Sequence, residues 1–155
     1  MTDSFAQQSF QAPPAPVTVA NVMRPPLTTV EQTVHVAAAA YLMKQAGATA
    51  LMVLDGHTDQ PVGIITQADI ARAVADGKDV NSVRICDLMT TRPTVISTTT
   101  SVRDAADVMT SGPFRHLPVV GDAGLVGIVD ITDVCRALID LDFSQLPLAE
   151  AAKPV

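Results

Sequence analysis

The sequence is poor in cysteine and in aromatic residues, and it has no apolar run long enough to cross a membrane. Of its 155 residues, two are cysteine, 3% are aromatic and none is tryptophan. Cys86 and Cys135 form no CxxC motif and no disulfide framework, which favours a reducing compartment. A membrane span needs about 20 consecutive apolar residues. With 48% apolar residues but so few aromatics, the core is expected to be aliphatic.

The sequence is also short of basic residues. Ten lysines and arginines face 16 acidic residues, for a formal net charge of −6. Because proteins that bind nucleic acid usually carry a basic surface, we expect no nucleic-acid partner. A small anion remains compatible with this charge, since a pocket needs only a few donors. The N-terminus lacks the basic and apolar regions of a signal peptide, so we expect a cytoplasmic protein without a membrane partner.

Motifs of several enzyme classes are missing as well. There is no GxSxG elbow, no Walker A loop and no GxGxxG sequence. His35, His57 and His116 do not combine with the cysteines into a metal-binding spacing. We therefore expect neither an enzyme nor a metal site.

Both ends of the chain differ in composition from its middle. Residues 1–17 are rich in Gln, Ser, Ala and Pro and are predicted to be a disordered N-terminal arm. Residues 143–155 contain two prolines and are predicted to be a flexible C-terminal tail.

The middle of the chain is an internal duplication. A shift of 66 places residues 19–54 on residues 85–120 without a gap, and after a shorter turn the shift becomes 64. We therefore expect two repeats, at 18–80 and 81–142. The matched pairs include Met23 with Met89, Thr28 with Thr94, Met43 with Met109, Gly63 with Gly127, Asp69 with Asp133, and Arg72 with Arg136.

Each repeat follows a β-α-β-β-α pattern. In the first repeat Val36, Ala39, Ala40 and Met43 form one apolar helix face, and Ser101 is a candidate N-cap for the equivalent second helix. Short apolar strands at 50–54 and 61–65 flank a polar turn, and a helix follows at 66–76 or, in the second repeat, at 130–140. The fold class is α/β, of the α+β kind, with the two repeats packed sheet to sheet in pseudo-two-fold symmetry, because one repeat alone would leave a sheet face uncovered.

This duplicated unit resembles the CBS domain, named after cystathionine beta-synthase. The resemblance covers nearly all of 19–141 and indicates a stand-alone CBS pair, or Bateman module, of bacterial type. It is carried by Leu117-Pro118-Val119-Val120, Leu125-Val126-Gly127-Ile128-Val129 and Asp133-Val134, by Gly63-Ile64-Ile65-Thr66-Gln67-Ala68-Asp69-Ile70, and by the openings Val22-Met23-Arg24-Pro25 and Leu88-Met89-Thr90-Thr91-Arg92-Pro93.

The resemblance implies a non-catalytic regulatory module. Such pairs bind adenosine-containing ligands in clefts between the repeats, most often AMP, ADP or ATP and less often S-adenosylmethionine or NADH. They often form flat homodimers and act on a protein target, here unknown. The alternative is a dimeric interaction module that binds no nucleotide.

The family pattern Gly-h-h-Thr/Ser-x-x-Asp, in which h is apolar, falls on Thr66 and Asp69. The resemblance implies that the threonine meets a phosphate and that the aspartate accepts hydrogen bonds from ribose hydroxyls. General chemistry agrees, since a helix N-terminus suits a phosphate and a carboxylate can accept from two hydroxyls. The purely structural alternative is that Thr66 caps its helix with Asp69 as its capping-box partner.

The second repeat departs from this pattern. Asp130 stands at the threonine position, beside Asp133, and a carboxylate repels a phosphate. Arg115 and His116 precede the strand of this repeat, where family members often place bases that reach phosphates. The first repeat has only Thr49 and Ala50 there. We therefore expect one cleft with the hydroxyl but no base and one with bases but an extra carboxylate, and we favour the cleft of Thr66 and Asp69 as the ligand site.

By resemblance, each cleft also draws on the opening segment of the other repeat. That segment is 87–95 for the Asp69 cleft, with Thr94 and Val95 as candidate ligand contacts, and 21–29 for the Asp133 cleft, with Thr28. An ion pair between Arg115 and Asp130 is the structural alternative to a ligand role for Arg115.

Overall fold

The computed structural model describes residues 15–25 and 28–145. The predicted N-terminal arm therefore lies outside the described residues except for 15–17, and the predicted tail lies outside them except for 143–145. Val17 is held in place, because its carbonyl accepts a hydrogen bond of 3.0 Å from the backbone N–H of Val102.

Both repeats have the predicted order of helices and strands, each preceded by a short 3-10 helix (Val19–Asn21 and Ile85–Asp87). The first repeat contains β1 (Thr29–Glu31), α1 (Val36–Ala46), β2 (Ala50–Asp55), β3 (Thr58–Thr66) and α2 (Gln67–Ala75). The second contains β4 (Thr90–Thr91), β5 (Ile96–Ser97), α3 (Val102–Ser111), β6 (His116–Gly121), β7 (Gly124–Asp130) and α4 (Ile131–Gln145).

The strands form two sheets, and each sheet receives a segment from the other repeat. The first sheet has the order β1-β2-β3-β4 and the second β5-β6-β7. β1 and β5 run parallel to β2 and β6, and the remaining pairs are antiparallel. β4, from the second repeat, pairs through Thr90 with Ile64 of β3. Arg24 makes the equivalent bridge to Ile128 of β7.

Local sequence signals account for the helix boundaries. Ser101 caps α3 as predicted, because its hydroxyl accepts from the backbone N–H of Asp104 at 3.0 Å. His35, in the equivalent place before α1, makes no side-chain cap. α1 ends at Gly47, whose φ of 61° is the left-handed conformation typical of a helix C-terminus. α4 continues to Gln145, five residues beyond the predicted end.

The core is aliphatic, as the composition predicted. The faces of α1 and α3 bury equivalent residues, Val36, Ala39 and Met43 in one and Val102, Ala105 and Met109 in the other. Each set belongs to the core of its own repeat. None of the helices within the described ranges combines the length and apolar character needed to cross a membrane.

A third apolar cluster joins the two sheets. Ala50, Met52 and Ile64 of the first sheet are buried against Leu125 and Ile128 of β7. The predicted sheet-to-sheet packing of the two repeats is therefore confirmed, with β2 and β3 contacting β7.

Candidate functional site

A cavity of about 560 Å³ lies between the repeats at the N-terminus of α2, and we call it the first cleft. Its volume falls within the range of about 300–1,000 Å³ that is usual for small-molecule sites. Both repeats contribute to its wall. The lining residues are Thr49, Ile64, Thr66, Gln67, Ala68, Asp69, Arg72, Thr90, Pro93, Thr94, Pro113, Phe114, Arg115, His116, Asp130, Ile131 and Thr132.

Thr66 and Asp69 form a capping box at the N-terminus of α2. The backbone N–H and the hydroxyl of Thr66 both donate to Asp69 Oδ2, at 2.9 and 2.8 Å, and the Asp69 N–H donates to Thr66 Oγ1 at 3.2 Å. The structural alternative for this pair is thus realised. Both residues also line the first cleft, and Asp69 Oδ1 takes no part in the capping box.

That second oxygen, Oδ1, faces Arg72. The Arg72 Nη1 lies 3.3 Å from Asp69 Oδ1, and the arginine side chain is 70% exposed. Arg72 matches Arg136 in the duplication, but it was not predicted to belong to the site. Its position three residues after Asp69 was the available signal, since residues spaced by three share a helix face.

Arg115 and His116 lie in the first cleft, and the expectation that the Asp69 cleft has no base was wrong. The reason is the symmetry of the pair. The start of β2 and the start of β6 meet between the two repeats, where Thr49 Oγ1 lies 2.8 Å from His116 Nε2. A side chain in this position therefore reaches across to the cleft of the other repeat.

Asp130 pairs with His116, not with Arg115. Asp130 Oδ2 lies 2.9 Å from His116 Nε2, and this bond requires a proton on Nε2 because a carboxylate only accepts. Arg115 is exposed and has no ion pair among the described residues. The structural alternative for Arg115 is thereby overturned, and its guanidinium is available to an anion in the first cleft.

For each residue of this pair, burial and the charge of the partner shift the pKa in opposite directions. Burial lowers the pKa of His116 below its usual 6.5, although the charge of Asp130 opposes the shift. The pKa of Asp130 is also lowered, because hydrogen bonds from Thr132 together with the charges of His116 and Arg24 outweigh its burial. At neutral pH Asp130 is thus ionised while His116 is largely uncharged.

A smaller cavity of about 240 Å³ lies around Asp133, and we call it the second cleft. Arg24 Nη2 donates to Asp133 Oδ1 across this cleft at 2.7 Å. Asp130, which replaces the threonine of the first repeat, turns back on its own helix and accepts from the Thr132 N–H at 2.7 Å. Thr49, His116, Asp130 and Thr132 line both cavities and so form the wall between them.

Two predicted contact residues lie away from the clefts. Thr94 lines the first cleft, but Val95 and Thr28 are not among the lining residues of either cavity. Each directly precedes a strand of its own repeat's sheet, β5 or β1, so the chain has already turned away from the cleft. Pro93 lines the first cleft within the predicted segment 87–95, but Phe114 was missed because it gave no pattern by which sequence could place it.

No cluster of three or more potential ligands that could hold a metal ion occurs within the part of the chain that the structure describes. Cys86 and Cys135 are free and exposed.

Comparisons with known proteins point to one family. The CBS-domain family model matches residues 19–76 and 85–140. An uncharacterized 17.7 kDa protein of Acidianus ambivalens is 39% identical over 117 residues, which cover 75% of this chain and 70% of that protein.

Two solved structures hold ligands. CBSX2, a CBS-pair protein from Arabidopsis thaliana, was crystallised with AMP. It is 29% identical in sequence with a TM-score of 0.66, and the matched region covers 81% of this chain and 98% of that chain. The CBS domain pair of MJ0100, with 5′-methylthioadenosine and S-adenosylmethionine, is 28% identical with a TM-score of 0.73 and the same coverage.

Proposed function

Because this chain belongs to the CBS-domain family, with two CBS domains forming one unit, we propose that it is a non-catalytic sensor of an adenosine-containing ligand. The ligand is AMP, ADP or ATP, and it binds in the first cleft. The observation that carries this proposal is the convergence of Thr66, Asp69 and Arg115 on one cavity formed by both repeats.

Asp69 is the ribose-binding residue in this proposal. Its side chain is 13% exposed and lines the cavity. Adenosine is common to AMP, S-adenosylmethionine and 5′-methylthioadenosine, the ligands of the two related structures. A carboxylate that accepts from two vicinal hydroxyls recognises this shared part whatever group the 5′ carbon of the ribose carries.

Arg115 favours a phosphate over a sulfonium group in the first cleft, since it is exposed and has no ion pair among the described residues. Two carboxylates line the same cavity, but Asp69 is assigned to the ribose and Asp130 lies 2.9 Å from His116 Nε2, so Arg115 is the charged group left for the 5′ substituent. The positive sulfonium of S-adenosylmethionine would be repelled by Arg115. We therefore rank AMP, ADP and ATP above S-adenosylmethionine and NADH.

The remaining wall suits a purine ring. Ile64, Pro93, Phe114 and Ile131 supply apolar surface to the first cleft. Since the wall comes from both repeats, a bound ligand favours the arrangement of repeats that closes on it, and this difference in affinity is what could transmit a signal.

The signal is proposed to pass through a homodimer to a protein target. Three large apolar side chains are exposed on helices: Tyr41 on α1, Val74 on α2 and Ile139 on α4. Sedimentation of the full chain tests the dimer; a monomer in Val74→Asp with a dimer in Val95→Asp, which changes an exposed residue outside the helices, would support it. A wild-type monomer would exclude it.

The second candidate function is a dimeric interaction module that binds no nucleotide. It is favoured by Asp130, which places a carboxylate in the cleft where a phosphate would lie. The two functions differ in a single property, the affinity of the first cleft for adenosine compounds.

We also propose a cytoplasmic location. Cys86 and Cys135 are both free and exposed, which fits a reducing compartment. Fractionation of the source cells would test this, and recovery with an oxidising compartment would contradict it.

Calorimetric titration with AMP and with ATP tests the ribose assignment. Asp69→Ala is expected to weaken binding at least roughly 100-fold, since two hydrogen bonds to a charged acceptor contribute about 1.5–3 kcal/mol each. The matched control is Asp104→Ala. Asp104 holds the same place relative to Ser101, with a hydroxyl-to-Oδ2 bond of 2.7 Å, but lies outside both clefts.

Both variants lose about 1 kcal/mol of helix capping, so stability alone cannot explain a difference in binding. Equal affinity of Asp69→Ala and the wild type would refute the ribose assignment. Absence of wild-type binding would favour the interaction module.

A further inference from the structure

Arg24 and Thr90 occupy equivalent places in the two clefts. Thr90 pairs with Ile64 at the edge of the first sheet, and Arg24 pairs with Ile128 at the edge of the second. The Arg24 backbone is fixed by two hydrogen bonds to Ile128, both of 2.9 Å. The first cleft thus has the short side chain of Thr90 where the second cleft has the long, charged side chain of Arg24.

The Arg24 guanidinium donates to Asp133 Oδ1, the carboxylate oxygen that would otherwise accept a hydrogen bond from a ribose hydroxyl. Its Nη2 lies 2.7 Å from Asp133 Oδ1, and the Asp133 side chain is only 9% exposed. The hydrogen bond and the charge of Asp133 raise the pKa of Arg24. In the first cleft the nearest cation to Asp69 is Arg72, at 3.3 Å, and it approaches from the same helix without crossing the cleft.

The other oxygen of Asp133 cannot replace the first. Oδ2 is buried and has no hydrogen-bond partner among the described residues. In the first repeat the corresponding oxygen accepts from the hydroxyl and the backbone N–H of Thr66, but the carboxylate side chain of Asp130 at that position has no proton to donate. An ionised carboxylate that is buried and half-unpaired is costly, so Asp133 depends on Arg24, with Arg136 more distant at 3.9 Å.

We propose that Arg24, whose side chain is 62% exposed, blocks the second cleft by occupying the Asp133 carboxylate, so that each chain binds one nucleotide, in the first cleft. This inference rests on the proposed function. The cavity volumes agree with it, because the second cleft has about 240 Å³ against about 560 Å³ for the first and falls below the usual range for ligand sites. Arg24 is therefore the residue that sets the number of ligands per chain.

The test is the stoichiometry of AMP and of ATP binding, by calorimetry on the full chain. Arg24→Thr copies the residue that the first cleft has at this place. The wild type is expected to bind one nucleotide per chain, and Arg24→Thr two. The added site is expected to disappear in the double variant Arg24→Thr/Asp133→Ala. The control is Arg136→Ala, which removes the other arginine near Asp133. Arg136 lies on the same helix as Asp133, and this variant is expected to bind one nucleotide, as the wild type does.

Arg24→Gln provides a second test if Arg24→Thr does not fold, since it retains most of the side chain but not the charge. Two sites in the wild type, or one site in both folded Arg24 variants, would overturn the proposal. So would a single wild-type site that is lost in Asp133→Ala and kept in Asp69→Ala.

The two proposals fail differently. If the wild type binds nothing and Arg24→Thr binds one nucleotide through Asp133, the blocking of the second cleft by Arg24 stands and the assignment of the first cleft fails. If neither protein binds, both proposals fail.

Discussion

Asp69 and Asp133 show how one neighbouring residue changes the chemistry of an equivalent carboxylate. Both aspartates stand at the third position of their helices, α2 and α4. With Thr66 before it, Asp69 is held by a hydroxyl and a backbone N–H. With Asp130 in that place, Asp133 lacks those donors and pairs with Arg24 across the cleft. Asp69 therefore pairs only with residues of its own helix and N-cap, whereas Asp133 pairs with a residue from the other repeat.

We expect His116 to make the proposed nucleotide affinity depend on pH. In the free protein burial lowers its pKa below 6.5, and a phosphate in the first cleft would raise it. Binding is then coupled to proton uptake, so affinity for AMP rises as the pH falls from 8 to 6, by at most about tenfold per pH unit. The fixed and titrating groups that share this cleft are Asp69, Arg72, Arg115 and Asp130.

The matched variant for this prediction is His116→Gln, which keeps a donor for Asp130 but does not titrate. The phosphate of AMP has its own pKa near 6, and titration of both proteins over the same pH range cancels this contribution. Parallel pH profiles of the two proteins would show that His116 does not face the phosphate.

The same pKa shift affects stability without a ligand, in the opposite direction. Because the folded-state pKa of His116 is depressed, its contribution to stability is fully present above pH 6.5 and is lost as the pH falls through the folded-state pKa. Asp130, whose pKa is also lowered, loses its contribution only at pH values below 3.8.

Sequence predicts which residues line the cleft where their placement is local. Thr66 and Asp69 lie on one turn of a helix, so their spacing alone indicates a shared surface. Arg115 could not be assigned in this way, because its cleft depends on how the two repeats meet at Thr49 and His116. The contact between Arg24 and Asp133 could not be predicted from sequence either, since the two residues are 109 positions apart.

Among the elements, β4 and the segment around Arg24 each lie at the sheet edge of the other repeat, and this docking depends on two glycines. A Cβ on Gly63 would lie 2.6 Å from Met89 Sδ and 2.9 Å from the Thr90 carbonyl oxygen. A Cβ on Gly127 would lie 2.7 Å from Met23 Sδ and 3.0 Å from the Arg24 carbonyl oxygen. The absence of a side chain at each position therefore lets a segment of the other repeat dock against β3 or β7.

Gly63→Ala is expected to displace β4 and to lower the free energy of unfolding by about 1–3 kcal/mol, as overpacking of a close contact does. AMP affinity should fall as well, because Thr90 lines the first cleft. Urea denaturation measures the first effect. The control is Gly56→Ala, whose Cβ would have its nearest neighbour at 3.8 Å. Equal unfolding free energies for the two variants would contradict the importance of this close contact.

Most elements follow from sequence because their signals are local. The apolar face of α1 and the Ser101 cap of α3 are of this kind. β4 was missed, since two residues carry no periodicity and pair only with a distant strand. The extension of α4 to Gln145 was missed because its predicted end copied that of the first repeat, although α4 has no counterpart of Gly77 to stop it.

At the scale of the whole molecule, the two repeats behave as one unit. Ala50, Met52 and Ile64 pack against Leu125 and Ile128, and each sheet is completed at its edge by the other repeat. The first cleft takes residues from both repeats, so a ligand that fills it stabilises the pair as a unit and not a single repeat.

Thermal denaturation of the full chain, freed of carried-over nucleotide, tests most directly whether an adenosine-containing ligand binds in the first cleft. AMP, ADP, ATP, S-adenosylmethionine and NADH are each added to the wild type, Asp69→Ala and Asp104→Ala. A ligand at 100 times its Kd stabilises by about 2.7 kcal/mol, which raises Tm by roughly 5–10 °C for a chain of this length. We predict this shift with AMP, ADP or ATP in the wild type and Asp104→Ala, and its loss in Asp69→Ala. An unchanged Tm with all five compounds would contradict the sensor function.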